Sequence, residues 1–429
     1  LCFLYSDFLA VYLLNRPEIG SYVKLASILI LFQTLLSLVY NAFIGLDRAE
    51  RSALIKALMS VVKASTAPTL IILGFGVTGA IMGHILGYIA AGVAGISLLY
   101  FGPYRSLKPA LKDVKDEGGN SFLGDLKLMV GYGFPLYISS ILTLVAGQYQ
   151  LILLAYYVSN LEIGSFQAAV NLSSLLVIVA TPITTALFPA FSKLDPKSES
   201  QELKRFFNLS VKYSSLLIVP IAMAVIVLSA DLVNVVYGAK YQLAAAYLSI
   251  YTAMFLLTGL GYRIIESLFN GVGETRLTLK TYLASLAIFI PLAPILTVLH
   301  GVLGMIVALL ISNLTLTIYG LALARKKFRA DLNLRGQLRI YLSSALSALP
   351  TLAFLRLSPL TSLPNLVAGG ALYLLTYLTL TPILKAIDMQ DLQNLKQIFR
   401  RVRAIQPIIN LAINYESKLL AATSHFGKA

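Results

Sequence analysis

Two basic residues stand inside long apolar runs of this sequence, where a charge is costly to bury. Lys63 lies 12 residues after Arg51, which is about 18 Å along a helix axis and near the middle of a bilayer. Arg263 lies in a second run. Inserting such a charge into hydrocarbon costs roughly 2.5–3.5 kcal/mol, so each is expected to face a partner or a polar cavity. A lysine ammonium or an arginine guanidinium in that place can bind an oxyanion such as phosphate.

Each of these cations also has a purely structural explanation. Lys63 can pair with a carboxylate such as Asp7, and residues 65–68 add two hydroxyls and a proline that predict a locally opened helix. Glu266 follows Arg263 by three residues, so an ion pair on one helical face is the simpler hypothesis there. In the alternative, Arg263 binds phosphate through its planar fork and Glu266 keeps it oriented.

Uncharged amide side chains form a second group of candidates in the apolar runs. They are Gln148, Gln150, Gln167 and Asn171. Gln167 and Asn171 are four residues apart and therefore share one helical face. Such groups can hydrogen-bond sugar hydroxyls, although polar side chains in membranes more often join helices, for about 0.6–2 kcal/mol each. Both interpretations remain open at this point.

Motifs for enzymatic chemistry are missing from the sequence. It contains no Walker A loop, no H-E-x-x-H and no Asp-x-Asp pair, and it has one cysteine and three histidines. The patterns that bind nucleotide phosphates or catalytic metals are therefore absent. We predict no cofactor, no metal site and no enzymatic activity.

The composition predicts the elements that must position these residues. Apolar residues make up 58% of the chain and charged residues only 12%, which is typical of a polytopic membrane protein. Apolar runs long enough to span a bilayer occur eleven times. They cover residues 21–44, 52–74, 77–101, 131–157, 163–190, 207–229, 244–270, 275–299, 301–324, 338–357 and 363–386. Residues 1–14 are too short for a span, and we expect them to be the end of another helix whose upstream part is missing.

The distribution of basic residues predicts the orientation. Numbering the loops alternately places 28 of the 34 Lys and Arg residues on one side, 4 on the other and 2 within the membrane. Lys and Arg are enriched in cytoplasmic loops, so both termini are predicted to be cytoplasmic. The net charge of +15 favours anionic membrane lipids as partners. Nucleic acid is not predicted as a partner, because the basic residues are dispersed over loops beside spans.

Two pairs of matching segments indicate an internal repeat. GVTGAIMGHILG (residues 76–87) and GVLGMIVALLIS (residues 301–312) share a G-V-x-G opening, and each is preceded by a segment with Asn, Gly, an acidic and a basic residue. From Gly45 to Gly76 is 31 residues, and from Gly273 to Gly301 is 28. Small residues then recur at every fourth position, with one break at Leu316, and predict close helix packing. They are Gly79, Gly83, Gly87, Ala91 and Gly95, and Gly304, Ala308, Ser312 and Gly320.

The predicted fold class is an all-α polytopic membrane protein with two six-helix bundles related by a parallel repeat, plus two C-terminal helices. About 12 of 14 helices would be present, with the N-terminal ones missing. The predicted divisions are an incomplete N-terminal bundle (1–102, a stub and three full helices), a basic cytoplasmic linker (103–130), a six-helix bundle (131–325), two further helices (338–386) and a cytoplasmic amphipathic tail (387–429).

Two segments give the chain a resemblance to a known family. FQAAVNLSSLLVIVATPITTALFPAFSKL (166–194) ends in FP-x-x-S-K, and DLVNVVYGAKYQLAAAYLSI (231–250) contains YG-x-x-Y. With fourteen inferred helices, the chain resembles the polysaccharide-export and O-antigen flippase family of the multidrug, oligosaccharidyl-lipid and polysaccharide exporter superfamily. The resemblance implies a cell-membrane flippase that moves a lipid-linked oligosaccharide from the cytoplasmic to the outer leaflet by alternating access. Glycan-assembly enzymes would be its further partners.

The resemblance also gives the candidate residues a role. A flippase needs a polar cavity for the phosphate–sugar head, so the expected substrate-binding residues are Lys63, Arg263, Glu266 and the four amides. The alternative is a cation-coupled multidrug exporter of the same superfamily, in which the buried carboxylates of Asp7 and Glu266 would bind the ion. A glycosyltransferase or polymerase is a third class, and it lacks the metal-binding motif noted above.

Overall fold

The computed structural model describes residues 3–13, 20–105, 122–196, 198–399 and 406–426, and within these ranges the chain is helical with no strands. Apolar runs of this length form helices because a segment in hydrocarbon must satisfy every backbone N–H and C=O internally. The chain divides into two compact units, Leu1–Gly124 and Asp125–Ala429.

The first unit contains three long helices after the short helical turns Ser6–Phe8 and Leu9–Leu13. They are α1 (Gly20–Gly45), α2 (Ala49–Leu70) and α3 (Gly76–Leu99), with π-helical turns at Ile71–Phe75 and Tyr100–Tyr104. Their shared core consists of Leu36, Val39, Phe43, Ile55 and Ala91.

The remaining helices belong to the second unit, except that the first three residues of α4 precede its boundary at Asp125. They are α4 (Phe122–Tyr157), α5 (Asn160–Ser192), α6 (Ser200–Val227), α7 (Ser229–Tyr237), α8 (Gln242–Thr252), α9 (Ile264–Gly271), α10 (Thr275–Phe328), α11 (Leu334–Leu357), α12 (Ser362–Ile383), α13 (Met389–Phe399) and α14 (Gln406–Phe426). A 3-10 segment, Ala253–Leu260, follows α8.

Nine helices in the described residues are long and apolar enough to cross a membrane. Two of them, Ala49–Tyr104 and Thr275–Phe328, hold two predicted spans each, so each of the eleven predicted spans has a helical counterpart. The chain is therefore a multi-pass membrane protein. One boundary differs, because α4 already begins at Phe122 and takes up the end of the predicted linker 103–130. Residues 106–121 of that linker lie outside the described residues.

The predicted span 244–270 is not one continuous helix. α8 ends at Thr252, a 3-10 segment follows, and a turn at Gly261 and Arg263 separates it from α9. Both turn residues have positive φ angles, 89° and 65°. The prediction of a continuous helix was wrong because hydropathy reports the length of an apolar run and not its continuity. A break of this kind is tolerated at membrane depth where neighbouring protein covers it.

The first helix of the first repeat copy ends in a left-handed turn. Asp47 has φ 59°. Its N–H donates to the Ile44 carbonyl at 3.0 Å, and the Arg48 N–H donates to the Phe43 carbonyl at 2.8 Å. This pair of bonds is a Schellman motif, which satisfies the last carbonyls of a helix.

The corresponding helix of the second copy, α9, ends in the same way. Gly273 has φ 83° and donates to the Asn270 carbonyl at 3.3 Å, while the Glu274 N–H donates to the Phe269 carbonyl at 2.7 Å. The two turns therefore share one hydrogen-bond pattern, with Asp47 in the position of Gly273.

The second landmark is also repeated in the backbone. Gly76 has φ 50° and ψ −130°, and Gly301 has φ 57° and ψ −135°, a conformation in which L side chains are strained. The structure corrects one detail of the sequence alignment, because Asp47, and not Gly45, matches Gly273. The two intervals between landmarks then become 29 and 28 residues, which confirms the internal repeat.

Side-chain packing follows the same repeat. A methyl group at Gly95 of α3 would lie 2.6 Å from the Val39 side chain and 3.2 Å from that of Ile55. Gly320 of α10 has neighbours at the matching positions, each 226 residues further along the chain. They are Ile265 at 3.0 Å and Thr281 at 3.3 Å. The small residues therefore let two helices approach closely in each copy.

The predicted amphipathic tail forms two helices that pack on the second unit. Lys212 of α6 and Asp391 of α13 form an ion pair at 2.5 Å. Glu416 of α14 is 5% exposed and accepts a hydrogen bond from the Thr381 hydroxyl of α12 at 2.8 Å. Burial raises the pKa of the Glu416 carboxyl to about 7, with the Thr381 hydrogen bond acting in the opposite direction. Residues 400–405 and 427–429 of the tail lie outside the described residues.

Candidate functional site

Several polar side chains of the second unit line one cavity between α4 and the two halves of α10. The cavity measures about 250 Å³, and its remaining walls are apolar. Ser285 and Ser312 cross from one half of α10 to the other with their hydroxyls 2.6 Å apart. The polar lining consists of Thr143, Gln150, Tyr282, Ser285, Ser312 and Asn313.

The two glutamines predicted on α4 point in different directions. Gln150 lines the cavity, whereas the side chain of Gln148 is exposed. Successive helix residues turn by about 100°, so residues two apart cannot share a face. Tyr149 between them donates from its hydroxyl to the Ile290 carbonyl at 2.9 Å, which fixes α4 against α10. Of the pair, only Gln150 is positioned to contact a molecule in the cavity.

Asn313 connects the cavity to the turn before α9. Its Nδ2 donates to the Leu309 carbonyl at 2.8 Å, and its Oδ1 accepts a bond from the Tyr262 hydroxyl at 3.1 Å. The tyrosine therefore orients the amide from behind the cavity wall.

Glu266 is connected to the cavity through a second tyrosine. Tyr282 lines the cavity, and its hydroxyl donates to Glu266 Oε2 at 3.3 Å. Glu266 lies in the first turn of α9, where the peptide dipoles stabilise a carboxylate. It does not itself line the cavity.

Arg263 precedes α9 and is not part of it, so the predicted ion pair with Glu266 is not formed within 4 Å among the described residues. An i, i+3 pair needs both residues in the helix, and Arg263 has φ 65°. Its guanidinium carbon lies 5.6 Å from the centre of the Tyr262 ring. Its Nε is buried and has no hydrogen-bond partner in the described part of the chain. The guanidinium thus keeps an unsatisfied N–H at Nε, one residue behind the cavity wall.

Lys63 lies in the first unit and is half-buried on the face of α2 that meets α3. A methyl group at Gly87 would lie 3.2 Å from its Cβ, and its ammonium interacts electrostatically with His84. The hypothesis of a pair with Asp7 is not supported, since no described carboxylate lies within 4 Å of Lys63. The Asp7 carboxylate instead lies beside Gly20 at the start of α1.

Near Lys63, α2 continues without a break through residues 65–68 to Leu70, so the local opening predicted there does not interrupt the helix. Pro68 lies inside α2 and is followed by the π-helical turn Ile71–Phe75. The Thr66 hydroxyl donates to the Val62 carbonyl at 2.7 Å and approaches the Gly83 carbonyl at 3.2 Å. Hydroxyls thus bond to backbone carbonyls close to the one that proline leaves without a donor.

Gln167 and Asn171 are bonded to each other. Gln167 Nε2 donates to Asn171 Oδ1 at 3.0 Å, and both side chains are exposed on α5. They neither join α5 to another described helix nor line the cavity described above.

The sequence did not single out the two tyrosines or Asn313. Tyrosine is common at membrane interfaces, so Tyr262 and Tyr282 carry no distinctive signal. Asn313 is the one asparagine in the predicted span 301–324, which could have drawn attention to it. The described residues contain no group of His, Cys, Asp and Glu arranged to hold a metal ion.

Known proteins resemble the chain in fold and, more weakly, in sequence. The "Probable low-salt glycan biosynthesis flippase Agl15" of Haloferax volcanii is 21% identical over 160 residues, which are 37% of this chain and 34% of that protein. Alignments to the curated relatives span only 34 to 46% of those proteins.

Among solved structures, lipid II flippase MurJ in the inward closed conformation has a TM-score of 0.64 at 16% identity, covering 89% of this chain and 79% of that one. A MATE protein in the straight conformation has a TM-score of 0.65 at 17% identity, covering 76% and 74%. At such identities the similarity concerns the fold. The family model described as polysaccharide biosynthesis protein matches residues 1–246. Since this match covers more than half of the chain, the protein belongs to the polysaccharide biosynthesis protein family.

Proposed function

We propose that the protein is a flippase that moves a lipid-linked oligosaccharide from the cytoplasmic to the outer leaflet of the cell membrane by alternating access. The observation that carries this proposal is the buried, unpartnered Nε of Arg263 beside a polar cavity at membrane depth. Buried charges are retained in membrane helices where they serve a substrate or ion pathway. The relative named as a glycan biosynthesis flippase supports the same substrate class.

The cavity suits one part of such a substrate. Its volume of about 250 Å³ lies below the roughly 300–1,000 Å³ of sites for drug-sized ligands, so it accommodates a single sugar or phosphate group. Gln150 and Asn313 offer hydrogen bonds to hydroxyls, and Arg263 supplies positive charge for a phosphate. Glu266 acts as a positioning residue through Tyr282. Lys63, in the first unit, stays a predicted substrate-binding residue.

The proposed topology gives the transport a driving force. With both termini cytoplasmic, an anionic head moves outward and is favoured by the interior-negative potential, by roughly 2.3 kcal/mol per charge per 100 mV. Anionic lipids would interact with the basic cytoplasmic loops, and glycan-assembly enzymes would deliver and consume the substrate.

The test is glycan assembly in a strain that lacks the chromosomal copy of this gene. Arg263→Gln and Gln150→Ala should each lower surface glycan at least tenfold with unchanged abundance in the membrane. Arg263→Lys should retain part of the activity, because it keeps the charge. Gln148→Ala is the matched control, since this side chain is exposed and lies two residues from Gln150. Wild-type glycan levels in Arg263→Gln would contradict the proposal.

A second candidate function is a cation-coupled multidrug exporter. It is favoured by Glu266, a carboxylate at membrane depth with a single described hydrogen-bond donor, and by the equally close fold of the MATE protein. In that case deletion of the gene would leave surface glycan intact. Drug efflux would depend on sodium or protons and would be lost in Glu266→Gln.

A further inference from the structure

A second, larger cavity of the second unit shares no lining residue with the first. This groove has a volume of about 840 Å³ and runs between α5, α6 and α13. Its walls are largely apolar. They include Pro182, Ile183, Leu187, Phe206, Leu209 and Leu217.

The two charged side chains of the groove are close together on α6. Glu202 and Arg205 lie in its first turns, whereas Asn394 of α13 lies further along, where its Nδ2 donates to the Tyr213 hydroxyl at 2.7 Å. Neither Glu202 nor Arg205 forms an ion pair within 4 Å among the described residues. The first turns of α6 therefore present one carboxylate and one guanidinium, which together carry no net charge.

Two hydroxyls in the groove have no partner. Ser210 and Ser214 line it, are 6% and 1% exposed, and make no hydrogen bond in the described part of the chain. A helical serine can bond its own backbone, as Ser215 does to the Val211 carbonyl at 2.6 Å. Leaving a buried hydroxyl unsatisfied is costly. The two serines are four residues apart and therefore lie on the same face of α6.

The spacing along α6 matches the order of groups in a phospholipid. Ser210 lies about 7.5 Å and Ser214 about 13.5 Å deeper than Arg205, at 1.5 Å rise per residue. A glycerophospholipid has a phosphate, then the oxygens that join its chains to glycerol, then hydrocarbon. A polyprenyl phosphate has hydrocarbon directly after its phosphate and offers these serines no acceptor.

We propose that the groove binds a glycerophospholipid with an amino head group. Arg205 binds its phosphate, Glu202 binds its ammonium, and Ser210 and Ser214 donate to its linkage oxygens. An anionic phospholipid without an amine has no ammonium for Glu202, so its negative phosphate would lie near this carboxylate without a compensating charge. The wall formed by α13 is held in place by Asp391, which pairs with Lys212 at 2.5 Å and accepts a bond from Tyr213 at 3.2 Å.

The experiment is a lipid titration of the purified full chain, followed by native mass spectrometry and by the shift in melting temperature. Phosphatidylethanolamine should bind at least tenfold more tightly than phosphatidylglycerol or a polyprenyl phosphate. Glu202→Gln should abolish the preference over phosphatidylglycerol, and Arg205→Gln should weaken both phospholipids about tenfold.

The serines supply a control that separates binding from folding. Ser210→Ala with Ser214→Ala should weaken phosphatidylethanolamine about tenfold, yet the lipid-free variant should melt no lower than the wild type because it buries no orphan hydroxyl. Ser215→Ala should leave lipid affinity unchanged. Tighter binding of the polyprenyl phosphate, or wild-type affinity in the double alanine variant, would overturn the proposal.

Discussion

The two copies of the repeat share a backbone but use it for different chemistry. Ahead of the landmark glycines Gly76 and Gly301, a residue of the first copy is equivalent to the residue 226 positions later in the second copy. In the first copy the Lys56 ammonium lies 3.9 Å from the centre of the Tyr40 ring. In the second, the equivalent residues Tyr282 and Glu266 form a hydrogen bond of 3.3 Å. The same two positions meet in both copies, and only the kind of interaction differs.

The largest difference concerns the position of Lys63. Its equivalent in the second copy is Phe289, which is 2% exposed in an apolar core. Lys63 is half-buried and has no carboxylate partner among the described residues. The glycine turns and small residues fix the path of the helices, so the side chains between them can serve either a packed core or a charge.

Placing each of these two residues at the equivalent position of the other copy should give the largest difference in stability between the copies. Phe289→Lys buries a charge in an apolar core and should destabilise the second unit by more than about 4 kcal/mol. Lys63→Phe should change stability by less than about 1 kcal/mol and still abolish glycan assembly. Thermal unfolding in detergent and surface glycan levels measure the two effects. Equal losses of stability in both variants would show that the positions are structurally alike.

Substitution of the small residues gives the next largest effect. A methyl group at Gly304 would overlap the Leu296 carbonyl oxygen, whereas at the equivalent Gly79 the nearest atoms are the Cβ atoms of Leu70 and Phe75, both at 2.9 Å. Overpacking costs typically about 1–3 kcal/mol, so Gly304→Ala should lower the melting temperature more than Gly79→Ala. Gly133→Ala, which meets open space, is the control. A larger loss in Gly79→Ala than in Gly304→Ala would mean that the two halves of α10 pack less tightly than α2 and α3.

The smallest expected difference between the two copies concerns the equivalent pairs themselves. A double-mutant cycle with Glu266→Gln and Tyr282→Phe should give a coupling of about 1.5–3 kcal/mol, because a bond to a charged group is buried. A cycle with Tyr40→Leu and Lys56→Met should give about 0.5–1 kcal/mol, since an exposed cation–π contact is weaker. Chemical denaturation of each variant provides the values. Identical couplings would remove the distinction between the copies.

Much of the fold could be predicted from the sequence, because membrane helices need long apolar runs and the repeat is marked by glycines. The break before Arg263 could not. A left-handed turn needs only one or two residues, and the surrounding run is as apolar as a continuous span. The alignment of the first landmark was also shifted, because Asp47 adopts a conformation that is usually assigned to glycine.

The candidate site was predictable only in part. Gln150 and Gln148 look alike in sequence, and the register of α4 alone decides which one lines the cavity. Arg263 and Glu266 were recognised as costly charges, whereas their tyrosine partners were not, since Tyr262 and Tyr282 gain their role from helices that meet only in the fold. The roles of all these residues in transport stay predictions.

Because Glu416 is buried, α14 packs most stably when this carboxyl is protonated. The folded pKa of about 7 exceeds the ordinary value of 4.5, so the contact is strongest at acid pH and weakens as the pH rises from about 4.5 to 7, by roughly 3 kcal/mol at the limit. No described basic side chain forms an ion pair with it, and the closest described partner on α12 is the Thr381 hydroxyl. Hydrogen exchange of α14, corrected for intrinsic rates, should therefore quicken across this range and become independent of pH in Glu416→Gln. A change of pH on the side of the membrane that α14 faces would thereby alter how firmly this helix is held.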